Sequence, residues 1–82
     1  MDIQLIQGVF SSEDAISLIA KMIQVKIKYY ENKIEKESRE EDIKAREQKI
    51  KKLQGEFYQL RNYSKVKNLR LEATIKIDEN LT

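Results

Sequence analysis

Lysine and arginine are the residues of this chain best placed to do chemistry, because between residues 43 and 67 they outnumber acidic residues by eight to two. On helical spacing Lys44, Lys51, Lys52 and Lys65 fall near one line away from the apolar positions, with Tyr58 close by. Such a row can neutralise phosphates and release their counterions, and an aromatic ring beside it can stack on a base. These four lysines are therefore the candidate nucleic-acid contacts. The competing reading is a solvated helix face attracted to an acidic neighbour. Residues 1–42 hold six basic against nine acidic side chains, and residues 43–82 hold ten against five. A split of that kind pairs two helices as readily as it binds an anion. No helix-turn-helix, finger or other reader of bases is legible, so the solvated face is the stronger reading.

Catalytic chemistry has little to work with. The chain contains neither histidine nor cysteine, which removes the commonest general base, the usual nucleophile–base pairs and the commonest metal ligands. Gly8 and Gly55 are isolated, so no glycine-rich phosphate loop is present. Carboxylates are plentiful but lie amid lysines on helix-period segments, where solvation is their ordinary role. No catalytic residue, metal or cofactor is expected, and the chain reads as a non-enzyme.

The elements that position these side chains announce themselves by their periods. Residues 3–10 read as a strand, with Ile3, Leu5 and Val9 on one face and Gln4, Ile6, Gly8 and Phe10 on the other. Ser11 and Ser12 stop it, and Glu13 and Asp14 then suit the positive end of a helix dipole. A helix is expected over 12–37 carrying two apolar stripes. One runs through Ile16, Ile19, Ile23, Ile27, Tyr30 and Ile34; the other through Ala15, Leu18, Met22, Val25 and Tyr29. Residues 35–42 contain no apolar side chain and form the expected polar tip of a hairpin, with Ser38 and Glu41 at capping-box spacing. A second helix over 40–62 has a narrow seam of Ile43, Ile50, Leu53, Phe57 and Leu60, with Arg46 in its one polar slot. Gly55 inside it implies a close approach to the first helix or the sheet. Residues 69–77 alternate without a fault, which marks a strand buried on one side.

The expected fold is α+β and predominantly α: a strand, a long helical hairpin and a second strand in β-α-α-β order, closing a two-stranded antiparallel sheet within a single domain over 1–82. One continuous rod over 12–62 is the alternative, since neither Gly nor Pro marks the turn. The out-of-phase seams and the capping box argue against it.

An 82-residue chain without disulfides or metal seldom gains more than about 3–5 kcal/mol from its own core. A single neighbouring helix needs one seam, yet the first helix offers two. Leu18, Met22, Val25 and Tyr29 are therefore the candidate interface, and a homodimer that extends the sheet or pairs the helices is the expected assembly. A structural or protein-interaction role follows, with another protein a further possible partner and nucleic-acid binding through the basic helix the alternative. No apolar run approaches the ~20 residues of a membrane span, and the start Met1-Asp2-Ile3-Gln4 has no secretory-signal pattern. The cytoplasm is the expected compartment.

Overall fold

Two hydrophobic periods alternate along the chain, and the computed structural model, which describes residues 1–37 and 39–80, turns each into its element. Strand β1 is Asp2–Ser11, helix α1 Ser12–Lys36, helix α2 Glu40–Leu60 and strand β2 Asn68–Lys76. A 3-10 segment, Arg61–Lys65, finishes α2. The order is β-α-α-β and the two strands pair antiparallel. The hairpin, not the continuous rod, is the arrangement formed.

The strand-to-helix junction is built by its serines. The Asp14 backbone N–H donates to Ser11 Oγ at 3.2 Å, satisfying one donor of the first turn. Ser12 is buried and its N–H donates to the Lys67 carbonyl at 3.0 Å. That bond ties the start of α1 to the residue before β2. Glu13 and Asp14 occupy the first turn of α1, and Lys33 and Lys36 its last, as the helix dipole favours.

At the tip, Glu37 and Arg39 adopt extended backbone and end the helical path. Ser38, the first residue of the capping-box spacing, lies outside the described residues; Arg39 is the N-cap residue of α2 and makes no side-chain cap bond. Half-buried Glu37 receives Arg46 Nη1 at 3.4 Å. Its other carboxylate oxygen accepts from the Arg39 backbone N–H at 3.1 Å. Arg46, the polar slot in the seam of α2, thus reaches across the turn to hold the two helix ends together.

The sheet corrects one expectation. Ile3 pairs with Ile75, Ile6 with Ala73, Gly8 with Leu71 and Phe10 with Leu69, and the register shifts between Gln4 and Ile6. Directly opposed residues share a face, so the bulge at Leu5 puts odd Ile3 and even Ile6, Gly8 and Phe10 on the same side. Val9, opposite Arg70, faces outward and is 61% exposed. The expected grouping of Ile3 with Leu5 and Val9 fails because alternation was counted through a residue the ladder skips. Gly8 has φ +142°, a region L side chains rarely adopt. Beyond the strands, Met1 and Ile77 exchange two backbone bonds, of 2.7 and 3.1 Å, and pin the open end.

Packing is sparse. α1 lies against both strands and against α2, but the backbone of α2 comes alongside neither strand. Among the described residues only Ala15 and Leu53 are buried apolar side chains, and no large side chain is fully enclosed. The Cα envelope measures 45 × 31 × 14 Å. Gly55 meets nothing within 4 Å of an added Cβ, so the expected close approach there is absent.

These contacts set four substitutions in order. Gly8→Ala should cost about 1–3 kcal/mol through backbone strain, whereas Gly55→Ala should stabilise by about 0.5–1 kcal/mol through helix propensity alone. Arg46→Ala should cost about 1–2 kcal/mol by taking a charged partner from half-buried Glu37. Lys44, which meets Glu40 at 3.4 Å on an exposed face, should tolerate alanine to within about 0.5 kcal/mol. Urea unfolding at fixed protein concentration measures all four.

Candidate interaction surfaces

Two apolar stripes on α1 demand two neighbours, and the chain supplies them unequally. Ile19, Ile23, Ile27, Tyr30 and Ile34 are half-buried. Ile23 and Ile27 share one cleft with Phe57 of α2, and Ile19 and Ile23 share another with Leu60. The second stripe is covered only at its start, where Ala15 is fully enclosed. Beyond it Leu18 is 37%, Met22 39%, Val25 71% and Tyr29 56% exposed. All four candidate interface residues therefore stand on open surface. Tyr29 is held from the side, its ring edge-on to Tyr30 at 5.6 Å and under Lys33 Nζ at 5.6 Å, a cation–π and aromatic pairing that limits its rotamers.

Met22 also borders an open apolar groove of about 300 Å³ between α1, α2 and the sheet. Its walls are Ile6, Leu71 and Ala73 from the sheet, Ile19 and Ile23 from α1, and Leu53 from α2, with Lys26 and Glu72 at the margin. Further along the inner face Ile3, Ile75 and Ile77 remain 36–48% exposed. Sequence reasoning missed the groove and this sheet end. Both are set by where the layers part, which no period along the chain marks.

The basic candidates are less concentrated than their spacing implied. Lys44 and Lys51 are seven residues apart on α2 and share a row with Tyr58. Lys44 is engaged by Glu40 at 3.4 Å. Lys52 is turned about 100° away from Lys51 by the helix, and it lines a cleft with Lys26, Tyr30, Lys49 and Glu56. Lys49 itself stands 5.5 Å over the Tyr30 ring. Lys65 belongs to the 3-10 segment. The helix keeps Lys44 and Lys51 in one row and turns Lys52 out of it, while Lys65 lies beyond the end of α2. Tyr58 is 72% exposed, with Arg61 6.0 Å above its ring.

Among the described residues no group of three or more carboxylates could hold a metal ion, and no helix is long and apolar enough to cross a membrane.

Val25→Ser distinguishes a wet stripe from a covered one. A solvent-facing substitution changes stability by no more than about 0.5 kcal/mol. Burial against another chain should raise the cost to about 1–2 kcal/mol, and that is the expected result. Thermal melting at several protein concentrations checks it.

Comparison with family models, with curated proteins and with solved structures finds no match to this chain.

Proposed function

We propose that the chain is a structural, protein-interaction module that works as a homodimer and carries no catalysis of its own. The observation that supports this reading most directly is the near absence of a private core. The accessible surface is 7211 Å², against about 5,100 Å² for a compact monomer of the same mass. The radius of gyration is 15.6 Å, against about 12 Å for a compact chain of this length. The excess, about 2,100 Å² per chain, lies within the range that obligate dimers bury. Much of it is apolar, since Leu18, Met22, Val25, Ile75 and Ile77 are all among the exposed side chains. Cysteine is absent from the chain, as suits a partnership formed in the reducing cytoplasm.

A contact role also fits the chemistry available. Ion pairs Arg39–Asp42 and Lys44–Glu40 are exposed helix pairs of ordinary kind, and they leave the charged faces of the hairpin for recognition.

Light scattering on the purified chain should give twice its sequence mass at micromolar concentration, with a melting midpoint that rises as concentration rises. A compact, cooperatively folding monomer overturns the reading. A mobility shift with nucleic acid at low salt, fading steeply as salt rises and lost on replacing Lys44, Lys51 and Lys52 by glutamate, would move the function to nucleic-acid binding instead.

A further inference from the structure

The uncovered apolar surface falls into two patches whose rims carry opposite charge. The stripe Leu18, Met22, Val25 and Tyr29 sits on a helix segment with no acidic residue between Ala15 and Tyr30, and Lys21, Lys26 and Lys28 flank it against the single carboxylate of Glu72 in the groove beside Met22. At the open end of the sheet Ile3, Ile75 and Ile77 continue the inner face, and there the neighbouring charges are Asp2, Asp78, Glu79 and the amine of Met1, which bonds the Ile77 carbonyl. Asp2 stands opposite Lys76, so Asp78 and Glu79, set against the one positive amine of Met1, leave that rim net negative.

We infer that a second copy of this chain covers both patches at once, the α1 stripe of each protomer seating on the sheet end of the other about a two-fold axis. The inference rests on the homodimer reading above and specifies its faces. Three considerations select this pairing. Stripe against stripe would set Lys21, Lys26 and Lys28 against their own copies, and sheet end against sheet end would do the same with Asp78 and Glu79. Crossing them instead joins unlike charge around apolar centres, the arrangement that steers association and fixes register. About the two-fold axis both contacts form together and the assembly closes at two copies, whereas the same faces joined without that axis would propagate head to tail. It also draws on both exposed apolar regions, which the excess surface of each chain requires.

The absence of native cysteine makes the geometry directly testable. Val25→Cys and Ile75→Cys chains, one bearing a mass tag, are mixed and treated with a short bis-maleimide. Each chain then owns a single thiol, so a tagged–untagged product joining residue 25 to residue 75 is intermolecular by construction and is the expected result. Products joining residue 25 only to residue 25 overturn the inference in favour of helix pairing. No product while light scattering still reports a dimer overturns these faces and leaves the homodimer standing; a monomeric mass removes both. As a second arm, the paired change Lys21→Glu with Lys28→Glu should weaken self-association about tenfold, as should Asp78→Lys with Glu79→Lys. Combining the four should restore it, and a combined variant weaker than either pair overturns the proposal.

Discussion

A sheet covered by a single helix is the constraint on which the rest of this structure depends. Two strands present one apolar face about nine residues long, and only α1 lies close upon it; the backbone of α2 comes alongside neither strand, and Leu53 reaches toward the sheet only across an open groove. α1 must therefore face the sheet and α2 together. Ala15 and Ser12, at the junction of β1, α1 and the chain entering β2, are enclosed. Away from that corner the layers separate and the groove opens between Ile6, Ile19, Leu53 and Leu71. The result is a well-anchored corner with two diverging arms. Hydrophobic stabilisation follows the area removed from water, and an arrangement of this shape removes little.

The local devices make sense against that shortage. A bulge at Leu5 gathers Ile3, Ile6 and Phe10 onto the only covered face, where an unbroken ladder would have turned Ile3 outward. Gly8, at φ +142°, gives the strand the freedom to bend under α1 without strain from a side chain. Ser12 N–H, bonded to the carbonyl of Lys67, fastens the point where strand, helix and returning chain meet. Arg46 does the same at the opposite end through Glu37. Directional polar bonds hold both ends of the molecule, because the apolar middle is too thin to do so.

Element order, the break between the helices and the antiparallel sheet were legible in the sequence because each rests on a local period. The change from period two to 3.6 at Ser11–Ser12, and back again before Leu69, needs no knowledge of what lies opposite. What escaped was everything set by a neighbour. The bulge depends on pairing with β2, so counting along β1 alone misassigned Ile3 and Gln4. Gly55 was read as a close approach, yet its surroundings are empty. Lys52 was placed in line with Lys44 and Lys51, although adjacent residues on a helix diverge and Lys52 faces the α1 side. The second stripe was visible as a surplus of apolar residues. That the sheet end shares the surplus was not, since it follows from how much of the sheet one helix spans.

On the homodimer reading proposed above, folding and association would form one equilibrium. An isolated protomer keeps its hydrogen-bonded ladder and its two helices, but secondary structure alone stabilises little when the alternative is hydration. Side chains such as Val25, Ile75 and Ile77 leave water only when another surface arrives. In the proposed homodimer, association would supply a share of the burial that larger domains obtain from within. The partner's contribution would then not be an addition to a finished fold. It would complete the layer that the second face of α1 and the uncovered end of the sheet both lack, and the lysines around one patch and carboxylates around the other would give that completion its orientation.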